Sequence, residues 1–125
     1  MNVKIDTKEK FVVITLVEAN LSANMTVEYT SLLTKQLQNV IPHVVLSMNK
    51  VEQISPEMAH ATAKVQQLYY EQNFSFVVCC MNEPVQEIFV NEDLLDLLNY
   101  TPTESEAWDI VQMEEIEREL MDDFE

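Results

Sequence analysis

A serine, a glutamate and a histidine lie close together near the middle of the chain, and these residue types could form a hydrolytic site. Ser55, Glu57 and His60 could supply a nucleophile and its general base. On a helix, however, Ser55 and His60 are five positions apart and do not share a face well. The run Ser55-Pro56-Glu57 is instead typical of a helix start, with a capping serine, a proline in the first position and an acid in the first turn. We therefore predict no catalytic residues and no enzymatic activity.

The residues with metal-binding chemistry are too scattered to form a site. His43 and His60 lie on different predicted elements, and the chain has no Cys-x-x-Cys, His-Glu-x-x-His or Asp-rich calcium loop. Cys79 and Cys80 are adjacent in an apolar run, where a strand would point them to opposite faces. We interpret them as buried, reduced thiols of a reducing compartment. The sequence thus predicts no metal and no cofactor.

Glycine is absent from all 125 residues, although about 7% is usual. Dinucleotide-binding loops, phosphate-binding loops and the Gly-x-Ser-x-Gly elbow all need its positive φ or its lack of a side chain. Those function classes are excluded, and we expect the turns to be made by Asn, Asp, Ser and Pro.

The chain is strongly acidic, with 22 Asp and Glu against 7 Lys and Arg and a net charge of −15. A field of this sign repels nucleic acid and anionic lipid, so we expect neither as a partner. A protein with a basic surface is the partner class that the charge favours. No apolar run approaches the roughly 20 residues of a membrane span, and the first residues lack a signal-peptide pattern. We therefore expect a cytoplasmic protein.

Apolar residues, 47% of the chain, alternate between β-branched runs and helical stripes. The order β-β-α-β-α-β-α-β-α predicts an α/β fold: a small mixed, mainly parallel sheet with helices packed on it. Strands are predicted at Val3–Ile5, 11–17, 44–48, 74–81 and 100–101. A first helix is predicted with apolar residues from Tyr29 to Val40. A second begins at Ser55 and has the apolar stripe Met58, Ala61, Val65, Leu68 and Tyr69. Further helices are predicted to begin at Asn82 and Thr103, with a short helix at 93–98 between them.

The last thirteen residues differ in composition from the rest, because seven of them are acidic. We divide the chain into a domain at residues 1–112 and an acidic helical tail at 113–125. Glu114 and Glu115 are predicted to lie on a solvated helix face. An apolar stripe along the tail could fold back on the domain, or could dock on a partner or a second copy. The stripe consists of Met113, Ile116, Leu120 and Phe124.

Four short segments, in this order, resemble the STAS domain, the fold of bacterial anti-sigma-factor antagonists. The similarity covers about residues 2 to 112, and it implies the α/β fold already predicted. Glu18 matches the family's Gly-Glu-Leu-Asp-like turn, in which Val17 and Asn20 replace its Gly and Asp. The segments are Val17-Glu18-Ala19-Asn20, the strand Val44-Val45-Leu46-Ser47-Met48, Pro84-Val85-Gln86-Glu87-Ile88-Phe89, and Thr103-Glu104-Ser105-Glu106-Ala107.

The chain departs from this family at the start of the second helix. Antagonists carry Asp-Ser-Ser-Gly there, and a partner kinase phosphorylates the first serine. Pro56 takes that position here and has no hydroxyl, while Glu57 places a permanent negative charge beside it. Two hypotheses follow: a binder that does not switch, or a relative locked near the phosphorylated-like state. A shift of one residue in the alignment would instead make Ser55 the phosphorylation site.

The resemblance implies a non-enzymatic protein-interaction module in bacterial regulation, whose partner is an anti-sigma factor or another kinase-fold regulator. It places the partner-binding surface on the loop at 18–24 and the start of the second helix. The predicted contact residues are Glu18, Asn20, Asn24, Ser55, Glu57 and Met58. The alternative is a structural subunit, a homodimer or a component of a larger assembly, that uses the C-terminal helix.

Overall fold

The computed structural model describes residues 1–123, with side chains up to Met121. Its main sheet has five strands in the order β1-β2-β4-β6-β7. β1 pairs antiparallel with β2, and every other neighbouring pair is parallel. The predicted α/β class with a mixed, mainly parallel sheet is therefore confirmed. The strands are β1 (Val3–Thr7), β2 (Val12–Leu16), β4 (Val44–Ser47), β6 (Phe76–Cys79) and β7 (Tyr100–Thr101).

A second sheet consists of two strands that the sequence did not indicate. β3 (Asn20–Leu21) and β5 (Gln53–Ile54) pair in parallel. Two residues are too short for an alternation of apolar and polar side chains, so nothing local marks these strands. They lie in what we predicted to be loops on either side of the first helix.

Three α-helices connect strands, and a fourth follows the last strand: α1 (Thr26–Gln36), α2 (Pro56–Glu71), α3 (Glu83–Asn91) and α4 (Glu104–Asp123). Short 3₁₀ turns at Ala23–Met25 and Leu95–Leu97 precede α1 and β7, so the helix predicted at 93–98 is only a single turn. α1 ends before the predicted Val40, which is fully exposed. Among the described residues, no helix is both long and apolar enough to cross a bilayer.

The two faces of the sheet are covered unequally. α1, α2 and α3 cover one face, where alternate side chains of β2, β4 and β6 join the larger apolar core. α4 alone covers the other face, where Ala107 and Val111 pack on Val45 and Val77. Alternate side chains of each central strand thus enter the two cores on opposite faces, which explains why these runs are apolar at nearly every position.

Asparagine and aspartate take the place of glycine at the ends of two helices. Asn73 follows α2 and Asp93 follows α3, each with a φ of 61°. In both, the next amide donates to a carbonyl five residues back: Phe74 to Tyr69 at 2.9 Å and Leu94 to Phe89 at 2.8 Å. These are Schellman caps, which need a residue that tolerates the left-handed region. The prediction that turns form without glycine is confirmed at these positions.

Candidate partner-binding site

The short sheet of β3 and β5 brings together the two segments of the predicted contact surface. The carbonyl of Ala19 accepts hydrogen bonds from the amides of Glu52 at 2.7 Å and Gln53 at 3.0 Å. The amide of Ser55 donates to the carbonyl of Leu21 at 2.8 Å. The loop after β2 therefore lies directly beside the start of α2, at the carboxyl end of the parallel strands. We call this surface, formed by 18–24 and 52–57, the contact face.

Ser55 is the N-cap of α2, as its sequence context predicted. Its backbone is extended, and its Oγ accepts the amide hydrogen of Met58 at 3.2 Å. Pro56 follows in the first helical turn, where its missing N–H leaves no bond unmade. Glu57 is exposed in the same turn, near the positive end of the helix dipole. At the start of the helix, the Ser55 hydroxyl is therefore hydrogen-bonded to the backbone, whereas the Glu57 carboxylate is exposed to solvent.

Met58 does not belong to the exposed surface, which corrects its assignment as a contact residue. Its exposed fraction is 0%, and it lies in the larger core. The hydroxyl of Thr26 contacts its sulfur at 3.4 Å, so Met58 joins the start of α1 to the start of α2. The helical spacing of the apolar residues of α2 already predicted that Met58 is buried. The family resemblance had instead placed it among the contact residues, and on this point it was wrong.

The remaining predicted residues lie on the contact face and differ in how exposed their side chains are. Asn20 and Asn24 are exposed, and the Asn24 side chain accepts a hydrogen bond from the Ser22 hydroxyl. Glu18 is half-buried, because its Oε1 accepts the amide hydrogen of Asn2 at 3.0 Å. Glu18 therefore fixes the loop to the beginning of β1, whereas the two asparagines keep side-chain groups open to solvent. Their role in binding stays a prediction.

Asn82 supports the contact face and was not predicted as a site residue. Its Oδ1 accepts the amide hydrogen of Val85 at 2.9 Å and caps α3. Its Nδ2 donates to the carbonyls of Val51 at 3.1 Å and Glu52 at 3.4 Å. The sequence Asn-Glu-Pro signalled the cap, but the bonds to the connection before β5 join residues far apart in the chain. Asn82 thereby holds one half of the contact face against α3.

The contact face is acidic and carries no nucleophile paired with a base. Glu52, Glu57 and Glu83 are exposed around it. Ser55 caps its helix, while His60 Nε2 lies 3.0 Å from Glu92 of α3. Within residues 1–121, no group of three His, Cys, Asp or Glu side chains could hold a metal ion. The exposed glutamates and asparagines of this face offer negative charge and hydrogen-bonding groups.

The two cysteines are closer together than we predicted. β6 ends at Cys79, and Cys80 adopts a φ of 68°, which breaks the strand alternation. As a result, the two sulfurs are 3.4 Å apart instead of on opposite faces. Both are free thiols; Cys79 is buried as predicted, whereas Cys80 is only partly buried. Burial raises the pKa of the Cys79 thiol, which keeps it protonated and unreactive.

A second polar cluster lies at the amino end of the strands and includes residues from α4. Arg118 donates to the Ser75 hydroxyl at 3.1 Å and to Glu115 at 3.0 Å. Its guanidinium lies 3.4 Å from His43 Nε2, and His43 Nδ1 accepts the Ser75 amide hydrogen at 3.0 Å. Sequence analysis missed this cluster, because its four members come from three distant segments. We call it the amino-end cluster: His43, Ser75, Glu115 and Arg118.

The electrostatics of the amino-end cluster follow from burial and from the arginine. Burial lowers the pKa of His43, and the Arg118 charge lowers it further. The hydrogen bond from Arg118 lowers the pKa of Glu115. Glu115 is partly buried, and Glu114 accepts a hydrogen bond from Asn99 Nδ2 at 3.4 Å. Our assignment of these two glutamates to a solvated face was wrong, because this side of α4 faces the domain.

Residues 113–123 of the predicted tail form the second half of one continuous helix. α4 runs past residue 112 without a break, so no change in secondary structure marks the domain boundary predicted there. That boundary stays a prediction. Met113, Ile116 and Leu120 are exposed by 56%, 55% and 53%, so this stripe does not fold back on the domain. The fourth predicted member, Phe124, lies outside the described residues.

The comparisons with known proteins match this fold. An anti-sigma factor antagonist from Mycobacterium paratuberculosis has a TM-score of 0.75 at 13% identity, over 89% of this chain and 93% of the other. RsbS from Moorella thermoacetica, in a variant with serine replaced by glutamate, has a TM-score of 0.73 at 12% identity, over 90% and 96%. A chain of the stressosome, a signal integration and transduction hub, has a TM-score of 0.67 at 14% identity, over 87% and 96%.

No curated protein sequence matches the chain at the threshold of significance. The family model of the STAS domain, in contrast, matches residues 2–107. This span contains every strand of the structure and the start of α4. The resemblance inferred from four short segments is therefore confirmed, and the chain belongs to the STAS domain family.

Proposed function

We propose that the chain is a non-enzymatic regulatory module that binds another protein through its contact face. The observation that carries the proposal is the β3–β5 pairing, which sets exposed Asn20 and Asn24 beside Glu57 at the start of α2. Similarity in fold to an anti-sigma factor antagonist supports an anti-sigma factor or a related kinase-fold protein of bacterial regulation as the partner. The free thiols support a reducing, cytoplasmic setting.

The module binds without the phosphorylation switch that the family resemblance implied. Pro56 offers no hydroxyl, and the Ser55 oxygen already accepts the Met58 amide hydrogen. Glu57 places an exposed carboxylate at the helix start. The similarity to an RsbS variant with glutamate in place of serine is consistent with a fold that accepts such a charge. Partner affinity is therefore fixed by the sequence, and the amount of complex is set by the concentrations of the two proteins.

Calorimetric titration of the purified chain with the anti-sigma factors and kinase-fold regulators of its host tests the proposal. We expect Glu57→Lys to weaken binding by about tenfold or more, because it reverses a charge at the centre of the contact face. Glu71→Lys is the matched control, since it makes the same charge change at the exposed far end of α2. Equal affinity of the two variants would show that binding occurs elsewhere.

Intact-mass measurement of the chain from its native host tests the absence of a switch. We expect no phosphorylated species under growth or stress, because the Ser55 hydroxyl is engaged and Pro56 cannot react. A mass increase that disappears in Ser55→Asp, which keeps a capping oxygen, would instead establish Ser55 as a phosphorylation site.

A second candidate function is that of a structural subunit that assembles through α4. The exposed stripe of Met113, Ile116 and Leu120 favours it, and a stressosome chain shares the fold. Light scattering over a concentration series, for the chain and for Ile116→Gln with Leu120→Gln, tests this candidate. Loss of a larger species in the double variant would support assembly through α4, and an unchanged mass would exclude it.

A further inference from the structure

The edge strand β1 offers backbone groups that no strand of residues 1–123 pairs with. β1 is the first strand of the sheet and is bonded on one side only, to β2. Its residues after Val3 are all exposed. Ile5 is 50% exposed, an unusual position for isoleucine on a sheet edge. An open edge of this kind is a template for another strand.

The hydrogen-bond pattern shows which groups of β1 face outward. The amide of Val17 donates to Asn2 and the amide of Lys8 donates to Phe11, each across the two strands. In an antiparallel pair the bonded positions alternate. Lys4 and Asp6 therefore direct their backbone groups to β2, and Val3, Ile5 and Thr7 direct theirs to the open edge.

The side chains of β1 are arranged symmetrically about Ile5. Lys4 and Asp6 stand on one face of the sheet, whereas Val3, Ile5 and Thr7 stand on the other. Beside Ile5 and Thr7 a groove of about 370 Å³ runs along the end of α1 and includes fully exposed Val40. The strand thus has a central apolar residue, one positive neighbour and one negative neighbour.

We propose that a second copy of the chain adds to this edge, with β1 antiparallel to β1 about a twofold axis at Ile5. In this register Lys4 faces Asp6 of the second copy, and the same pair recurs on the other side of the axis. Ile5 packs on Ile5 of the second copy. The outward amides and carbonyls of Val3, Ile5 and Thr7 are all paired, and the two five-stranded sheets become one continuous sheet.

Among the registers whose axis lies at Lys4, Ile5 or Asp6, only the one at Ile5 is complementary in charge. An axis at Lys4 would set Lys4 against Lys4 of the second copy, and an axis at Asp6 would set the two aspartates together. When the axis falls between two residues, the outward amides and carbonyls of one copy lie opposite residues whose backbone groups point to β2. The hydrogen bonds between the two copies are then lost. Asp6 also forms an ion pair with Lys8 of its own chain at 2.8 Å. In the dimer its carboxylate lies between two lysines.

Self-pairing fits β1 better than the stripe on α4. The second half of α4 carries Glu114, Glu115, Glu117 and Glu119, and Arg118 is already engaged by Glu115. Two copies joined there would bring like charges together, whereas β1 presents both signs in alternation. Of these two surfaces, β1 is therefore the one that complements itself in charge.

Sedimentation velocity over a concentration series, with charge-swapped variants, tests the dimer. We expect Lys4→Glu and Asp6→Lys to weaken dimerisation by about tenfold or more each, because each places two like pairs across the axis. An equimolar mixture of the two variants should dimerise again, since Glu at position 4 of one chain then faces Lys at position 6 of the other. The restored mass also shows that both variants are folded.

Ile5→Pro provides a second variant that spares the monomer. The amide of Ile5 points to the open edge, so proline removes a bond of the dimer and none of the β1–β2 ladder. We expect a folded monomer. Glu57→Lys should leave the dimer unchanged, which separates this inference from the proposed partner binding. A wild-type chain that stays monomeric, or a dimer unaffected by the charge variants, would overturn the inference.

Discussion

The two ends of the sheet use polar residues in opposite ways. At the carboxyl end of the parallel strands, Asn20, Asn24 and Glu57 keep exposed side chains on the contact face. At the amino end, His43, Ser75, Glu115 and Arg118 bond to one another and are partly or fully buried. Polar residues at the first end are available to a partner. Those at the second end hold α4 against the strands.

This difference predicts where a substitution changes binding and where it changes stability. Satisfied polar groups under a helix stabilise the fold, because removing one member leaves the others without partners. Exposed polar groups contribute little to stability and are the ones that a second protein can reach. Substitutions at the amino end should therefore change unfolding alone, and those at the carboxyl end should change partner affinity.

Arg118→Met has the largest expected effect. It removes the donors to Ser75 and Glu115 and leaves a buried hydroxyl and a partly buried carboxylate unpaired. We expect the free energy of unfolding in urea to fall by about 1–3 kcal/mol, with partner affinity unchanged. Arg118→Lys is the control, because it keeps the charge but loses the planar fork. An equally stable Arg118→Met would show that the cluster does not hold α4.

Asn82→Ala should affect both stability and binding. It removes the cap of α3, which costs about 1–2 kcal/mol, and it frees the carbonyls of Val51 and Glu52. Partner affinity should fall because one half of the contact face is no longer held. Asn82→Asp separates these effects, since it keeps the capping oxygen but loses the Nδ2 donor. Full affinity in Asn82→Asp would show that these bonds do not position the face.

The pH dependence of stability should show the smallest effect. Burial lowers the pKa of His43 below the value of about 6.5 for an unfolded chain. The unfolded chain therefore binds more protons as the pH falls through that value, and stability is lost. Protonation also breaks the bond that Nδ1 accepts from Ser75.

Thermal unfolding of the wild type and of His43→Asn, measured as the pH is lowered through about 6.5 to about 5, tests the effect of His43 on stability. The advantage of the wild type should shrink as the pH falls below about 6.5. Glu115 also contributes stability, which is lost only under more acidic conditions. The Arg118 hydrogen bond lowers the pKa of this carboxyl, which titrates at about 4.3 in the unfolded chain. A constant difference between the two proteins above pH 5 would contradict the assignment to His43.

Much of the fold was predictable because its signals are local. The β-branched runs marked three central strands, and Ser55, Asn82 and Thr103 marked three helix starts that the structure confirms. Met58 shows where two signals conflicted. The helical stripe placed it in the core, the family resemblance placed it on the contact face, and packing followed the stripe.

Two of the unpredicted features depend on residues that are distant in the chain. The β3–β5 ladder joins positions 20–21 to 53–54, and the amino-end cluster joins His43 and Ser75 to Arg118. Each such contact involves only one or two residues per segment, so it leaves no periodicity that a sequence window could detect. The contact between the two cysteines was equally hidden, because it depends on the positive φ of Cys80.

By itself, the sequence determined the class of the protein. The absence of glycine excluded several families of catalytic loop, the acidic charge argued against anionic partners, and the order of strands and helices predicted a mainly parallel α/β sheet. These conclusions follow from residue types and short-range spacing, which act before the chain has folded. Only the tertiary structure decided which polar residues are exposed and which are buried in hydrogen bonds inside the fold. Burial and hydrogen-bond geometry are properties of packed neighbours, and the sequence does not reveal which residues become neighbours.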